Sequence, residues 1–438
     1  MASGERGGTT GRPRLQITPD VALIDEPVRV RVQGCTPGET VRLLARTTDE
    51  QGRVWTAEAT PRADASGCVD LSRDASEFGT YHGVDAMGLF WSMRLDAAAT
   101  TDQYYKKSTL SPEIIVVSIE TRDATIASAL VERRFIGPDV LRVPVRERGL
   151  IGTLFRPDDD EPRPAVIVLG GDGGLHEHGA ALLASRGFAA LALAYFGVEG
   201  LPERCVEIPL EYGLTAIQWL QSQDWVRPDK IVVVGSALGG ELALLLGATY
   251  PQVSAVVAYT PMTLVVAGRG PSGASEPLWT CDGEPVPYAL DDDSTLDTIQ
   301  ARWAHLRQAP YAPAARLRRR LRNRSWREAG AIPVERIRGP VLLLSAKDDS
   351  IIPSYDLCEL AIERLRAYRH SHAYKHVAYE GAGHAIGLPL AHGLPNMPTY
   401  ARAPAASLRI KYGGNPRDNA RANQASWQEL LAFLRATS

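Results

Sequence analysis

Two regimes of hydrophobic patterning divide the chain. From residue 15 to about 140, apolar and polar positions alternate over short runs, the period-2 signature of strands with one solvated face. Val28-Arg29-Val30-Arg31-Val32 shows it most clearly. Residues 41–45 and 53–59 predict two more strands around the turn residues Asp49-Glu50-Gln51-Gly52, and 114–119 and 129–135 close the set. Short strands with turn signals every roughly 8–12 residues predict an all-β sandwich. Beyond residue 140 the pattern becomes strands alternating with helices, which implies a largely parallel sheet covered on both faces. Residues 142–155 predict an entry hairpin around Gly149. Strands follow at 165–169, 189–194, 231–234, 253–259, 341–345 and 376–379, and helices at 179–186, 210–221, 241–249 and 426–436. Between 261 and 338 the regularity gives way to Gly, Pro and charge, a long insertion in this α/β region.

Composition narrows the classes. A length of 438 residues implies two domains, here a sandwich over 15–140 and an α/β domain over 141–438. With 45% hydrophobic and 23% charged residues the chain reads as an ordinary globular protein, and a net charge of −3 gives no reason to expect nucleic acid as partner. No apolar run approaches the ~20 residues of a membrane span. Residues 1–14 lack the apolar core of a signal peptide and are expected to be a loose tail. Five scattered cysteines have neither metal-ligand spacing nor the even count of a disulfide framework, so reduced thiols and a cytoplasmic location are expected. Nothing calls for a cofactor or a metal; His370, His372 and His376 lie close in sequence but are expected at the surface.

The chemistry concentrates at Ile231-Val232-Val233-Val234-Gly235-Ser236-Ala237-Leu238-Gly239-Gly240, running from a strand into a helix. G-x-S-x-G in that context is the nucleophile elbow of α/β-hydrolases, a turn so tight that the positions two before and two after the nucleophile must be small. Gly235 and Gly239 satisfy that spacing and fix the nucleophile slot at 237, which holds alanine. Ser236 is then the variable residue before the slot; an elbow centred on it would need glycines where Val234 and Leu238 stand.

A triad on this fold runs nucleophile, acid, histidine. After strand 341–345, Ala346-Lys347-Asp348-Asp349 precedes Pro353, and a carboxylate four residues before that proline selects Asp349 over Asp348. Tyr379-Glu380-Gly381-Ala382-Gly383-His384 then places a histidine in a glycine-rich loop directly after a strand. His384 is the expected general base and Asp349 the group that holds its tautomer. Oxyanion donors are expected from the amide of Leu238 and from Gly171 or Asp172 in Leu169-Gly170-Gly171-Asp172-Gly173-Gly174. A phosphate loop is the weaker alternative for that run, because the Lys-Ser/Thr of a P-loop is missing.

These residues resemble the acyl-CoA thioesterase and bile acid-CoA:amino acid N-acyltransferase family over nearly the whole chain. The likeness is carried by Asp25-Glu26-Pro27-Val28-Arg29-Val30, Ala86-Met87-Gly88-Leu89-Phe90-Trp91, residues 170–177, Ala192-Leu193-Ala194-Tyr195, Leu201-Pro202, Gly239-Gly240-Glu241-Leu242, Ile332-Pro333-Val334-Glu335, Gly383-His384, Gly413-Gly414-Asn415-Pro416-Arg417 and Trp427. The resemblance implies an immunoglobulin-like first domain, an α/β-hydrolase second domain, and thioester cleavage through a covalent acyl-enzyme. It also implies serine at 237 for hydrolysis or cysteine for transfer to an amine, with Asp349 and His384. Ala237 departs from that pattern, Asp172 stands where the family has glycine, and the 261–338 insertion, at the lid position, is longer than usual.

As written, the chain is therefore expected to be catalytically inactive, through an introduced substitution or as a natural non-catalytic relative. Acyl-CoA, carrier-bound or ester substrates all fit, with an acyl-carrier protein as a conceivable partner. The Ala- and Arg-rich composition hints at a GC-rich bacterial source and leaves room for a natural-product substrate. Arg316, Arg318, Arg319, Arg320, Arg322, Arg324 and Arg327 predict a solvated helix face, or alternatively a dock for CoA phosphates. Trp279, Tyr288, Trp303 and Trp326 are candidates for an acyl pocket or simply for the insertion's own core, and Cys205 and Cys281 for buried thiols.

Overall fold

Period-2 alternation in the first third does build sheets. In a computed structural model, which describes residues 12–95, 104–171, 173–269, 275–290, 302–304, 306–307, 309–387, 394–395, 400–402 and 409–437, the chain divides into two compact units. These are Met1–Phe135 with Leu390–Met397, and Ile136–Pro389 with Pro398–Ser438. In the first unit, Arg14–Thr18, Arg29–Gln33 and Val69–Asp70 form one sheet. Val21–Leu23, Thr125–Arg134, Glu113–Glu120, Arg42–Thr48, Val54–Pro61 and Ser76–Gly79 form the other in that spatial order, with Arg94–Leu95 added beside Val54–Pro61. Val30 and Val32 are buried and their neighbours are not, as the pleat requires. Register sets Leu43 between Ala59 and Ile119, and Ala45 between Ala57 and Val117, all buried. This is the immunoglobulin-like sandwich. Its first strand starts at Arg14, inside the segment expected to be loose, because it pairs along its length with Arg29–Gln33.

The second unit is an α/β-hydrolase. Its strands are β1 (Val140–Val145), β2 (Gly152–Pro157), β3 (Arg163–Leu169), β4 (Ala189–Leu193), β5 (Val226–Ser236), β6 (Val253–Tyr259), β7 (Val341–Ala346) and β8 (Tyr374–Tyr379). They lie in the order β1-β2-β4-β3-β5-β6-β7-β8. The two pairs involving β2 are antiparallel and all others parallel. Every residue of β4 and β7 is buried, which explains the unbroken apolar runs in the sequence. Five adjacent pairs are parallel, so the loops leaving β3, β5, β7 and β8 emerge at one edge of the sheet. Residues 171, 237, 349 and 384 all follow these strand ends.

The helices named below are α1 (Glu177–Ser185), α2 (Leu210–Gln221), α3 (Leu238–Thr249), α4 (Ala314–Arg320), α5 (Arg324–Gly330), α6 (Ser354–Ala367) and α7 (Pro416–Thr437). The insertion is more regular than its composition suggests, since α4 and α5 fall within it and Asn323 caps α5 by accepting from the Trp326 amide at 3.2 Å. The last helix starts ten residues before the expected 426, at Pro416. Its first turns bury Asn419, Ala420, Ala422 and Asn423 instead of large apolar side chains, so hydrophobic periodicity could not see them. None of the five cysteines is in a disulfide. Among the described residues no helix is long and apolar enough to cross a membrane.

One buried polar pair ties the insertion to the sheet's central helix. Trp279, fully buried, donates its indole N–H to the carboxyl of Glu241 at 2.7 Å, and Glu241 sits in the first turn of α3. Burial pushes this carboxyl up to about 8, the indole hydrogen bond offsetting only part of the desolvation. The acid is therefore neutral in the folded protein at pH 7. Its stabilising contribution is complete below the unfolded value of 4.5 and is lost as pH rises towards 8. Glu241→Gln keeps an acceptor for Trp279 but cannot titrate. Urea unfolding from pH 5 to 8.5 should show stability falling with pH by a few kcal/mol more in the parent than in the variant.

Candidate active site

The chain turns sharply at residues 235–239. Ala237 stands between β5 and α3 with φ 49° and ψ −114°, a conformation that side chains of L-residues rarely adopt. A Cβ on Gly235 would lie 1.9 Å from the Gly239 carbonyl oxygen, and one on Gly239 would lie 2.4 Å from that of Leu169. Only glycine fits at either position. Ala237 donates its N–H to the carbonyl of Tyr259 and accepts from the Glu241 amide, so the turn is pinned to β6 on one side and to α3 on the other. The strained residue is 237 and not 236: Ser236 is the last residue of β5, in register with Tyr259.

The acid and the histidine are in contact. Asp349 Oδ2 is 2.9 Å from His384 Nδ1 and also accepts from Ser354 Oγ at 2.8 Å. Oδ1 accepts from the amides of Ile351 and Ile352 at 2.9 and 3.0 Å. With its side chain wholly buried, Asp349 has four donors for its two oxygens, whereas Asp348 is exposed. The bond to Nδ1 leaves Nε2 as the ring atom available to a substrate, and among the described residues no group hydrogen-bonds it. Residue 237, Asp349 and His384 follow the ends of β5, β7 and β8, so all three lie at one sheet edge.

The segment before α7 stitches this pair together. Gly413 bridges to Asp349 and Gly414 to Ala382, while His384 donates its N–H to the Tyr412 carbonyl. Both glycines have φ near the left-handed region, +88° and +69°, and a Cβ would fall 1.9 Å from the Asp348 carbonyl oxygen or 2.3 Å from the Gly383 nitrogen. Behind them Asn419 and Asn423, one turn apart on α7, accept from the amides of Gly383 and Gly387 at 2.8 and 3.1 Å. Sequence reasoning missed these two asparagines; an i, i+4 amide pair following Gly-Gly-Asn-Pro was the only available signal.

On the other side of residue 237, Leu238 is the first residue of α3, so its N–H has no acceptor within the helix. Gly171 lies against the elbow: a Cβ there would be 2.8 Å from the Ala237 Cβ and 2.7 Å from the Ser236 carbonyl oxygen. Asp172 lies outside the described residues. Ala237 also packs into an apolar cluster of Met262, Leu264, Ile352 and Leu357, with Leu317, Leu321 and Trp326 from the insertion against it. Of the four aromatics expected near an acyl pocket, Trp326 alone belongs to this cluster. Trp279 and Tyr288 pack with the main core, and Trp303 is exposed.

A second series of triad-type hydrogen bonds exists and differs in access. His376, expected at the surface, is a strand residue with its side chain only 7% exposed. Its Nε2 meets Ser345 Oγ at 2.7 Å and its Nδ1 meets Glu359 at 2.6 Å, because β8 pairs with β7 and packs beside α6. Ser345 is fully buried within β7, so no substrate can reach its oxygen. The rings of His370 and His372 lie 5.6 Å apart, but among the described residues no cluster of three ligating side chains could hold a metal. Burial pushes the thiols of Cys205, Cys281 and Cys358 upward, so none is an activated thiolate. In the basic stretch Arg318 pairs with Asp356 and Arg324 with Glu328, both at the surface.

Comparison with known proteins agrees with this architecture. Residues 25–147 match the model of the acyl-CoA thioester hydrolase/BAAT N-terminal region, and residues 208–437 that of the BAAT/acyl-CoA thioester hydrolase C terminal. The chain is 31% identical to the acyl-coenzyme A amino acid N-acyltransferase 1 of Mus musculus, over 96% of this chain and 97% of that protein. Identity to the bile acid-CoA:amino acid N-acyltransferase of Homo sapiens is 31% with the same coverage. It is 30% to the mitochondrial acyl-coenzyme A thioesterase 2 of Mus musculus, over 98% of this chain and 91% of that one. The protein belongs to the acyl-CoA thioester hydrolase/bile acid-CoA:amino acid N-acyltransferase family.

Proposed function

We propose that this site is built for acyl transfer from a thioester through a covalent intermediate on residue 237, and that Ala237 leaves the chain without its nucleophile. The buried Asp349–His384 pair at the same sheet edge as the elbow carries the proposal. With serine or cysteine at 237, His384 Nε2 takes the proton as the side chain attacks the thioester carbon. The carbonyl π electrons move to oxygen, and the amides of Leu238 and Gly171 stabilise the resulting anion. Collapse breaks the C–S bond, and His384 returns the proton to the departing thiolate. Water or an amine then attacks the acyl-enzyme, its proton passing through His384 back to residue 237 as acid or amide leaves. The cluster around Met262, Leu264 and Trp326 is the natural place for an apolar acyl chain.

The relatives act on coenzyme A esters, which favours acyl-CoA over a carrier-bound or natural-product ester here. Arg327 has a shielded Nε without a hydrogen-bond partner and lines a crevice of about 190 Å³ with Leu264, Arg324, Glu328 and Arg364, where its guanidinium is the group offered to a CoA phosphate. Ala237 itself favours a second reading, a non-catalytic acyl-ligand binder on the same pocket.

Ala237→Ser and Ala237→Cys, assayed against a panel of acyl-CoA esters with water and amino acids as acceptors, should raise turnover about 10⁴–10⁶-fold in at least one variant. Binding without turnover in both would leave the binder reading standing. In the active variant, Gly414→Ala should lower kcat at least about 10²-fold, since the added carbon forces the His384 loop away from Asp349. Paired Arg324→Ala and Arg327→Ala substitutions should weaken acyl-CoA binding and flatten its salt dependence; unchanged affinity would discard the phosphate dock.

A further inference from the structure

The circuit behind the oxyanion loop involves residues to which nothing above gives a catalytic part. Tyr195, two residues beyond the end of β4 and only 2% exposed, donates its hydroxyl to the Gly170 carbonyl at 2.6 Å. In a planar trans peptide the carbonyl of one residue and the N–H of the next point in opposite directions. The bond that holds the Gly170 oxygen therefore also turns the Gly171 N–H to the far side, and Gly171 is the residue packed against position 237. Two glycines in succession leave this peptide free to rotate unless something outside the loop holds it.

Tyr195 is itself held. Its ring meets Phe196 edge-on at 5.1 Å and lies 5.8 Å from Trp279. Phe196 packs beneath the same loop, where a Cβ on Gly173 would be 2.8 Å from its ring. Trp279 is anchored by its indole on Glu241, and the Glu241 amide donates to the Ala237 carbonyl. The contacts close a circle: residue 237, Glu241, Trp279, Tyr195, Gly170, Gly171, and back to residue 237. One member, Trp279, belongs to the insertion and is seated by pairing with Ile208.

We infer that Tyr195 is a positioning residue that orients the Gly170–Gly171 peptide as an oxyanion donor, and that Trp279, anchored on Glu241, keeps it in place so that seating of the insertion sets the hole. The inference rests on the acyl-transfer reading of the site. A peptide turned the other way would present the Gly170 carbonyl to the developing oxyanion, replacing a donor by an acceptor.

Two measurements test it. The protein as it stands, labelled with ¹³C at glycine carbonyls and ¹⁵N at glycine amides, gives correlated signals only from Gly–Gly peptides, Gly170–Gly171 and Gly413–Gly414 among them. Tyr195→Phe should shift the first and leave the second in place. Trp279→Phe, which keeps an aromatic ring but removes the donor to Glu241, should shift the first in the same direction by less. No movement of the Gly170–Gly171 signal in either variant overturns the inference. In whichever of Ala237→Ser and Ala237→Cys is active, Tyr195→Phe should lower kcat about 10–100-fold with KM changed less than about twofold. An unchanged kcat, or a loss confined to KM, also overturns it. Complete inactivity of both Ala237→Ser and Ala237→Cys would instead defeat the acyl-transfer reading, while the peptide signal still decides whether Tyr195 orients Gly170–Gly171.

Discussion

A carboxylate removed from water must be given enough donors to replace its hydration, and that requirement organises the sheet edge around Asp349. Its four hydrogen bonds come from two backbone amides, the Ser354 hydroxyl and the His384 ring. The first three bind it to its own loop and to the start of α6. The fourth fixes the ring orientation of a histidine on another loop, because the shielded oxygen has no water to turn to. The histidine loop is in turn held by Gly413, Gly414, Asn419 and Asn423. The C-terminal helix is thus part of the apparatus that aims the imidazole, although none of its residues is proposed to touch the substrate.

The elbow is the complementary constraint. A non-glycine residue at φ 49° costs roughly 1–3 kcal/mol, and such a turn survives only where its surroundings overdetermine it. Here Gly235 and Gly239 allow the backbone to fold back, while Tyr259 and Glu241 pin residue 237 from both sides. None of this depends on the side chain at 237, so alanine can occupy the position without dissolving the turn.

Ser345, His376 and Glu359 show why hydrogen-bond pattern alone does not make a site. Their distances match those of a working triad, yet the serine is a buried residue within a strand flanked on both sides, with no strained turn to expose it. The accessible pair at His384 and the occluded one at His376 lie along the same strand-and-loop stretch. Access, set by whether the residue belongs to the sheet or to the loop beyond it, separates them.

The sequence by itself determined the elements whose signal is local. Alternation at Val28–Val32 marked a sandwich strand, apolar runs marked the covered strands, and paired glycines around residue 237 marked the elbow. Asp349 and His384 were legible because each follows a strand end with a characteristic neighbour, Pro353 or Gly383. What only the tertiary structure decided is whatever depends on residues distant in sequence. The early turns of α7 carry small and amide side chains inward, a pattern that hydrophobic periodicity does not register, so Asn419 and Asn423 became visible only once the chain had folded against Gly383 and Gly387. The raised carboxyl of Glu241 follows from its burial in the folded core, its hydrogen bond from Trp279 exists only because the insertion is seated there, and His376 left the surface because α6 covers β8. Local pattern records which face of an element is apolar; it carries no record of which distant polar group will meet it there. Desolvation and hydrogen-bond satisfaction, which shape this site, are properties of the packed chain.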